Sequence, residues 1–315
     1  GIDTFYADWS ASTADIAWDG DSGNGITTSN FERFLLLSGS GNDVFGQLDN
    51  TGYAELSTGG GNDVATMNSG SIDGGSGLDT VNIDTADATG GLGYGWILNG
   101  WYASAGASRL DLQGFLGLGN DWRLYNNSVG VQLSMTGVES LNVLSGSAGD
   151  DLFFARGAGT TYAGGAGNDT FYADWSAATN AITWNGTGGN GLATTGFERF
   201  LLTFGSGDDS AVIDHGDYEG GAGADTAQFT GLQGAAATSS YWYVNGWYAD
   251  HTSSRTDLAN ILAIGTQYTA YEGGTGSLIA SMNGFENLNV LNGADSNDLV
   301  FARGTGTTYA GGTGT

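Results

Sequence analysis

The sequence repeats itself, and this internal repeat constrains the fold more than any other feature. Residues 1–10 (GIDTFYADWS) recur almost unchanged as residues 167–176 (GNDTFYADWS), 166 positions later. Residues 31–36 (FERFLL) recur as residues 197–202 at the same interval. Two copies in the same order predict two halves that are built on one structural plan.

The interval between matched segments then becomes shorter. Residues 77–80 (GLDT) match residues 223–226 (GADT) 146 positions later, so the second half has lost roughly one coil between these landmarks. A chain of stacked repeats can lose one repeat without disturbing its neighbours, whereas a closed barrel or sandwich cannot. We therefore expect two half-repeats, 1–166 and 167–315. Because the last residues resemble those before the second half, we also expect the chain to be one period of a longer tandem array.

A shorter repeat lies inside each half: the pattern Gly-Gly-x-Gly-x-Asp-x-U-x, in which U is a large apolar residue. Residues 74–82, 164–172 and 220–228 follow it, the last with a small residue at U. Degenerate copies lie at 38–46, 58–66, 146–154, 204–212 and 293–301. Two nonapeptides would form one coil of about 18 residues, and the aspartates of adjacent coils would stack at roughly the 4.8 Å spacing of strands. We expect the U residues Val81, Phe153, Phe171 and Val300 to point inward.

These nonapeptides resemble the RTX family, also called hemolysin-type calcium-binding repeats. The strand-and-return segment that ends in Gly-Phe-Glu at 196–198 looks like the flanks of RTX motifs in long bacterial surface proteins. The resemblance implies an all-β fold of parallel β-roll or β-solenoid blocks, interrupted by inserts that contain β-hairpins. It also implies several Ca²⁺ ions, folding on calcium binding, and an extracellular location at the bacterial cell surface. One turn departs from the family pattern, because Thr161 stands where aspartate is expected, so we expect calcium mainly along one edge.

The charge of the chain supports cation binding in these turns. The formal net charge is −27, and 27 of the 34 acidic residues are Asp. Short carboxylates in glycine-rich turns are typical ligands of Ca²⁺, and an ion between coils would relieve their mutual repulsion. The candidate ligands are the repeat aspartates and the asparagines before them: Asp3, Asn42, Asp43, Asn62, Asp63, Asp79, Asp151, Asn168, Asp169, Asp209, Asp225, Asn297 and Asp298. A metal-free solenoid with Asn/Asp turns is the alternative.

Two inserts, about 85–137 and 231–284, separate the repeat blocks and carry aromatic runs. In each insert an Asn-Gly pair, 99–100 or 245–246, lies between these runs and predicts a β-hairpin. The Trp and Tyr side chains would either cover the apolar interior or form a platform for a sugar or a neighbouring molecule. The sequence leaves both interpretations open.

Catalysis and nucleic-acid binding are not expected. The chain has no Cys and no Lys, and His215 and His251 lie outside any catalytic motif. The repeat aspartates are explained by the turn motif, so we expect no enzymatic activity. A chain without a basic stripe does not neutralise phosphates, and no apolar run is long enough for a transmembrane segment.

The leading hypothesis is a structural repeat unit of a calcium-dependent bacterial surface protein, such as a fibre, an adhesin stalk or an S-layer component. The open ends of a rod of stacked coils favour self-association, end to end or laterally. Two alternatives remain: a carbohydrate- or surface-binding adhesin module that uses the Trp/Tyr inserts, and a non-catalytic RTX tail of a secreted enzyme.

Overall fold

The computed structural model describes residues 1–48, 53–85, 93–98, 101–116, 122–229, 240–244, 246–250, 252–262, 267–272, 278–291 and 297–311. These residues form β-strands and two short helices, so the predicted all-β class is confirmed. The chain divides into unit 1 (Gly1–Tyr172 with Leu192–Phe197) and unit 2 (Ala173–Gly191 with Glu198–Thr315). The half-repeats 1–166 and 167–315 are a different division and stay a prediction from the sequence.

The elements follow one another in the same order in the two halves. Up to the middle of the chain they are β1 Thr4–Asp8, β2 Ala17–Trp18, β3 Ser22–Gly23, β4 Ile26–Thr27, β5 Arg33–Leu37, β6 Val44–Gln47, β7 Tyr53–Ser57, β8 Val64–Thr66, β9 Gly70–Asp73, β10 Thr80–Asp84, β11 Tyr94–Leu98, β12 Trp101–Ala103, α1 Arg109–Leu116, β13 Trp122–Asn126, β14 Gly130–Thr136, β15 Ser140–Ser145, β16 Leu152–Phe154 and β17 Thr161–Ala163. They continue as β18 Thr170–Asp174, β19 Thr183–Trp184, β20 Gly188–Gly189, β21 Leu192–Thr195, β22 Arg199–Thr203, β23 Ser210–Val212, β24 Gly216–Glu219, β25 Thr226–Phe229, β26 Ser240–Val244, β27 Trp247–Ala249, α2 Arg255–Leu262, β28 Tyr268–Glu272, β29 Leu278–Asn283 and β30 Asn287–Val290.

One sheet of unit 1 has the strand order β1-β5-β7-β9-β14-β13-β11-β12. From β1 to β14 neighbouring strands run parallel. All five residues of β5 face residues of β7, and Glu55 of β7 in turn faces Ser71 of β9. Burial alternates along β5 and β7, so that Leu36 and Leu56 face the core. This period of two is what a strand with one buried face requires.

A second series of strands in unit 1 runs in the order β17-β15-β10-β8-β6-β2. All of these neighbours pair in parallel, and Val64 of β8 faces both Val44 and Thr80. The apolar repeat residue Val81 lies in β10 and is fully buried. Of the other residues that we expected to point inward, Phe153 and Phe171 are fully buried and Val300 is half-buried.

Unit 2 has the same two kinds of strand series. One has the order β22-β24-β29-β28-β26-β27 and the other β30-β25-β23-β19-β20. Thr226 of β25 faces Ser210 on one side and Asn287 on the other, in parallel pairs. The sequence interval from Ser210 to Thr226 equals that from Val64 to Thr80 in unit 1, so the two units share the same repeat spacing here.

The aromatic runs of both inserts form antiparallel strand pairs. In unit 1, Trp96 of β11 faces Ala103 of β12, and in unit 2, Trp242 of β26 faces Ala249 of β27. The predicted Asn-Gly turn at 99–100 lies outside the described residues, and of the second turn only Gly246 is described, in the left-handed region at φ 84°. Positive φ favours glycine there.

Each insert also contains a short helix, α1 or α2, which the sequence analysis did not predict. The α1 helix begins with a capping box: Ser108 Oγ accepts the N–H of Asp111 at 3.2 Å and donates to its carboxylate at 2.6 Å. Ser254 and Asp257 form the same arrangement at α2. This Ser-x-x-acid spacing is a start signal for a helix, so the inserts are mixed rather than purely β.

Candidate functional site

Unit 1 contains a row of carboxylates, which we call the Asp43 ladder: Asp43, Asp63, Asp79 and Glu139. The backbone N–H of Asp43 donates to Asp63 Oδ1 at 2.7 Å, and that of Asp63 donates to Asp79 Oδ1 at 2.9 Å. The N–H of Asp79 donates to Glu139 Oε2 at 3.0 Å. At the other end, Ile16 donates to Asp43 Oδ1 at 2.7 Å. The repeat aspartates of unit 1 therefore follow one another through charge-assisted hydrogen bonds.

Unit 2 contains an equivalent row, the Asp209 ladder: Asp209, Asp225 and Glu286. Ile182 donates its N–H to Asp209 Oδ1 at 2.7 Å, and Asp209 donates to Asp225 Oδ1 at 2.7 Å. The N–H of Asp225 donates to Glu286 Oε2 at 3.0 Å. Both ladders thus begin at an isoleucine N–H and end at a glutamate.

The glycines of the repeat explain why the carboxylates fit beneath these turns. A Cβ on Gly74 would lie 2.8 Å from Asp79 Oδ2 and 2.1 Å from the carbonyl oxygen of Gly137. A Cβ on Gly220 would lie 3.0 Å from Asp225 Oδ2 and 2.3 Å from the carbonyl oxygen of Gly284. These contacts are too short for any side chain, so the turn backbone packs directly on the carboxylate.

Burial makes the carboxylates of Asp63, Asp79 and Asp225 hard to ionise. Asp79 is 2% exposed and Asp225 is 0% exposed. Burial raises the pKa of Asp79 to about 6, and the nearby carboxylates of Asp63 and Glu139 add to this effect. Burial raises the pKa of Asp225 to about 6 as well, although its hydrogen bond from the Asp209 N–H opposes the shift. The pKa of Asp63 is also raised by burial.

In both Asp79 and Asp225, one carboxylate oxygen has no hydrogen-bond donor. Asp79 Oδ2 and Asp225 Oδ2 are buried and accept no hydrogen bond, although buried polar atoms in proteins nearly always have a partner. A cation against these oxygens would compensate for their desolvation, so this feature fits a bound Ca²⁺.

The number of convergent carboxylates is small for a calcium site. Among the residues that the structure describes, no group of three or more His, Cys, Asp or Glu side chains could hold a metal ion. Ca²⁺ also accepts backbone carbonyl oxygens, so an ion at Asp79 or Asp225 would take its other ligands from the glycine turns or from water.

Three of the asparagines predicted as ligands, Asn42, Asn62 and Asn168, are exposed and make hydrogen bonds to neighbouring turns. Asn42 Oδ1 accepts the N–H of Asn62 at 2.8 Å, and Asn62 Oδ1 accepts the N–H of Leu78 at 2.9 Å. Asn168 is also exposed, and its N–H donates to Asp150 at 2.8 Å. The amide oxygens of Asn42 and Asn62 therefore join one turn to the next.

Asp151 and Asp169 form a shorter row in unit 1. The N–H of Asp151 donates to Asp169 Oδ1 at 2.7 Å, and the backbone N–H of Tyr94 donates to Asp151 Oδ1 at 2.5 Å. Burial raises the pKa of Asp151 to about 6. This pair repeats the pattern of the two ladders on a smaller scale.

The remaining predicted ligands are more accessible. Asp3 is exposed, and Asn297 and Asp298 are half-buried. The N–H of Asp3 donates to Glu32 Oε2 at 2.9 Å. Asp3 is thus joined to a glutamate in the same way as Asp79 and Asp225.

Three glutamates that accept the N–H of a repeat aspartate were not selected by the sequence analysis. Glu32, Glu139 and Glu286 each accept the N–H of a repeat aspartate. The signal was available, because each glutamate follows a Gly-Val or Gly-Phe pair or stands in Phe-Glu-Arg. Its partner is distant in the sequence, however, since the whole first insert separates Asp79 from Glu139.

The turn that carries Thr161 is joined to its neighbour by a neutral side chain. Asn142 Oδ1 accepts the N–H groups of Thr160 and Thr161, at 2.8 and 3.3 Å. We call this the Asn142 turn. In unit 2, Asn289 Oδ1 accepts the N–H of Thr307 in the same way, at 2.9 Å.

The aromatic residues of the inserts fall into two groups. Trp96 and Trp242 are fully buried, and the Nε1–H of Trp96 donates to the carbonyl oxygen of Leu152 at 2.6 Å. Trp101 and Trp247 are 57% and 60% exposed. One part of each insert therefore covers the core, and the hairpin tip presents aromatic surface to solvent.

No model of a known protein family matches this sequence, and no curated protein matches it. Within the described part of the chain, neither helix has the length and apolar character that crossing a membrane requires.

Proposed function

We propose that this chain is a calcium-dependent β-solenoid that serves as a structural repeat unit of an extracellular bacterial surface protein. The observation that carries this proposal is the pair of aspartate ladders, in which buried carboxylates follow one another at the repeat spacing. The protein would be part of a fibre, an adhesin stalk or an S-layer, with a mechanical rather than a catalytic role.

The strand registers support the solenoid. Val44 faces Val64 and Val64 faces Thr80 in parallel pairs, so the chain returns to a parallel neighbour after one short stretch of sequence. In a solenoid with coils of about 18 residues, the chain alternates between two strand series and pairs with the previous coil after each short interval of sequence.

The orphaned carboxylate oxygens support the calcium dependence. Asp79 Oδ2 and Asp225 Oδ2 are buried without a hydrogen-bond donor, and each lies against a glycine turn. Leaving such a charge uncompensated is destabilising. A bound Ca²⁺ would supply the missing positive charge, so that ion binding and folding would be coupled.

A calcium titration followed by far-UV circular dichroism tests the proposal. The protein is stripped with EGTA and titrated with Ca²⁺ from micromolar to millimolar, with Mg²⁺ as the control because its strict octahedral geometry suits such turns poorly. We expect a cooperative gain of β-structure with Ca²⁺ and a much weaker response to Mg²⁺. A protein that is equally folded and equally stable in EGTA and in Ca²⁺ would remove the calcium dependence and leave a metal-free solenoid.

Glycan binding is a second candidate function, favoured by the exposed aromatic tips of the inserts. Tyr102 is 50% exposed and its hydroxyl donates to Asn127 Oδ1 at 2.5 Å, and Tyr248 is 51% exposed and donates to Asp250 Oδ2 at 2.9 Å. Exposed rings with a polar rim suit the flat, hydroxylated faces of sugars.

A glycan array separates this candidate from a purely structural role. We expect binding that is lost in the Trp101→Ala/Trp247→Ala variant and kept in the control Leu110→Ala, which removes an equally exposed apolar side chain from α1. Absence of binding by the unmodified protein, or equal loss in the control, would reject the glycan function.

A further inference from the structure

Two copies of the heptapeptide Thr-Phe-Tyr-Ala-Asp-Trp-Ser have different surroundings. In the first copy Tyr6 is 59% exposed, whereas the equivalent Tyr172 of the second copy is 0% exposed. Thr4 is exposed and Thr170 is buried. Because the side chains are identical, the difference must come from what lies against them.

Within unit 1, the strand β16 lies against the second heptapeptide. Leu152 faces Thr170 and Phe154 faces Tyr172 in a parallel pair, and Ala155 donates its N–H to the carbonyl oxygen of Tyr172 at 2.8 Å. The ring centroid of Phe154 is 5.7 Å from that of Tyr172, in a T-shaped contact.

The insert of unit 1 holds Phe154 in this position. The rings of Trp96 and Trp122 lie 5.4 and 5.8 Å from Phe154. We call Trp96, Trp122 and Phe154 the covering group. Tyr162 adds a contact from the next strand, because its ring lies 5.1 Å from Phe171.

Among the described residues, no strand equivalent to β16 lies beside the first heptapeptide. β1 is the terminal strand of its sheet and pairs with β5. A groove of about 420 Å³ lies next to Tyr6 and is lined by Leu35, Leu37, Glu55 and Asp73, among others. This groove runs across the face of the strands next to β1, whereas the free edge of β1 is a surface with which another strand can pair.

Unit 2 contains a second covering group, formed by Trp242, Tyr268 and Phe301. The ring of Phe301 lies 5.7 Å from Trp242 and 6.3 Å from Tyr268. The Nε1–H of Trp242 donates to the carbonyl oxygen of Leu299 at 3.0 Å, as Trp96 does to Leu152. In the part of the chain that the structure describes, residues 299–301 belong to no strand.

Tyr309 of unit 2 is more exposed than its counterpart in unit 1. It is 36% exposed, whereas the equivalent Tyr162 is 1% exposed. Its hydroxyl is already placed as in unit 1, since Tyr309 donates to the carbonyl oxygen of Leu288 at 2.7 Å and Tyr162 to that of Leu141 at 2.9 Å. The covering residues of unit 2 are therefore assembled: Trp242, Tyr268 and Phe301 are buried as their counterparts are, and Tyr309 beside them is partly exposed.

We propose that residues 299–301 of one copy of this chain pair in parallel with Thr4–Tyr6 of a second copy, so that Phe301 covers Tyr6 and Tyr309 approaches Phe5. The contact reproduces between two copies the pairing that β16 and β18 make within unit 1. It is a head-to-tail contact, because the two copies use different surfaces, so each copy keeps a free surface of each kind with which a further copy can be added. The inference rests on the proposed structural function and specifies the surfaces that would join successive copies.

Disulfide trapping tests the register of this contact, because the chain contains no Cys. Leu152 faces Thr170 in unit 1, so we expect Leu299→Cys and Thr4→Cys on separate molecules to form a mixed disulfide. Facing residues of neighbouring strands are about 4.8 Å apart, within the range that a disulfide spans. The matched control combines Leu299→Cys with Tyr53→Cys, an exposed residue two strands further along the sheet. Cross-linking that is no more frequent in the first mixture than in the second would overturn the proposal.

A covalently fused pair of copies excludes weak affinity as the reason for a negative result. Residue 313 of the first copy is followed by Gly1 of the second, which keeps the spacing that separates Tyr162 from Tyr172, and the tether gives an effective concentration of about millimolar. The fused pair must then form the Leu299→Cys/Thr4→Cys disulfide between its two copies. Its failure in protein that circular dichroism shows to be folded rejects the contact and leaves the calcium-dependent function standing.

Light scattering with surface variants distinguishes end-to-end from lateral association. We expect Tyr6→Ser to abolish concentration-dependent assembly and Tyr102→Ser, an equally exposed tyrosine at the opposite end of the same sheet order, to leave it unchanged. The reverse result would show that the copies associate through the inserts and would overturn the proposed contact.

Discussion

The Asp43 ladder and the Asn142 turn make the same kind of hydrogen bond with different chemistry. In the ladder a buried carboxylate accepts a backbone N–H from the neighbouring turn, at 2.9 Å from Asp63 to Asp79. In the Asn142 turn a neutral amide oxygen accepts one from Thr160 at 2.8 Å. The fold therefore does not need a negative charge to join adjacent turns.

The comparison with the Asn142 turn shows how the negative charge of Asp79 affects the stability of the folded protein. An asparagine at Asp79 would keep the acceptor for the Asp63 N–H and avoid the desolvation that raises the pKa of Asp79 to about 6. Burial disfavours the charged carboxylate at this position, and under the proposed function a cation against it would offset that cost. The ladders should thus respond to calcium, whereas the Asn142 turn should not.

The largest effect is expected where the turn lies closest to the ladder. Gly74→Ala would place a Cβ 2.1 Å from the Gly137 carbonyl oxygen and 2.8 Å from Asp79 Oδ2. We expect a loss of about 2–3 kcal/mol in the free energy of unfolding, measured by urea denaturation in calcium. The control Gly114→Ala lies in α1 with no atom within 4 Å of the added Cβ, and it should stabilise instead. Similar values for both variants would show that the turn does not pack on the carboxylate.

A smaller effect is expected at the Asn142 turn. Asn142→Ala removes the acceptor of the Thr160 and Thr161 N–H groups. Both threonines are exposed, so water replaces the acceptor in part and we expect a loss of about 0.5–1.5 kcal/mol. The loss should be the same in calcium and in EGTA, because no charge is involved. Gln113→Ala, an exposed residue of α1, serves as the control; a calcium-dependent loss at Asn142 would contradict the distinction between the two turns.

A third expected effect is a pH dependence, to which Asp79 and Asp225 of the ladders contribute together with Asp151. The pKa values of Asp79 and Asp225 are raised from 3.8 to about 6 in the folded protein, so the folded state binds more protons between these two values. The free energy of unfolding of the calcium-free protein should therefore fall as the pH rises through about 4 to 6, and be lowest above that window. Thermal melts in EGTA should give a higher Tm at about pH 5 than at about pH 7.

The double variant Asp79→Asn/Asp225→Asn provides the control for this pH dependence. It removes two of the groups whose pKa is raised, so its Tm should change less over the same pH range. In calcium the slope of the unmodified protein should weaken or reverse, because the ion favours the charged carboxylates. An unchanged slope in the double variant would mean that other groups cause the pH dependence.

The repeat spacing was sufficient to predict which aspartates follow one another. Asp43, Asp63 and Asp79 each precede a short strand, and strands in parallel register bring residues at equal positions together. The inward direction of Val81 and Phe171 follows from the same register. Local periodicity carries this information because each contact lies between neighbouring repeats.

Contacts across an insert could not be predicted in this way. Glu139 accepts the N–H of Asp79 because β15, which follows the insert, pairs in parallel with β10, which precedes it. No local sequence pattern predicts this pairing across the insert. The α1 helix is short and weakly periodic, and the capping box at Ser108 and Asp111 was its one clear signal. The direction of the carboxylate oxygens depends on packing against Gly74, which sequence spacing does not specify.

The effect of calcium on the stability of the Asp79→Asn/Asp225→Asn variant tests the central claim most directly. Asp21→Asn, which removes one exposed carboxylate outside the ladders, is the control for an Asp-to-Asn exchange as such. The measurement is the unfolding free energy of the three proteins in EGTA and in millimolar Ca²⁺. The account predicts that the double variant is more stable than the unmodified protein in EGTA and gains less from Ca²⁺, while Asp21→Asn behaves as the unmodified protein does. A double variant that is less stable in EGTA and gains as much from Ca²⁺ would contradict the claim that the ladder carboxylates hold the ion.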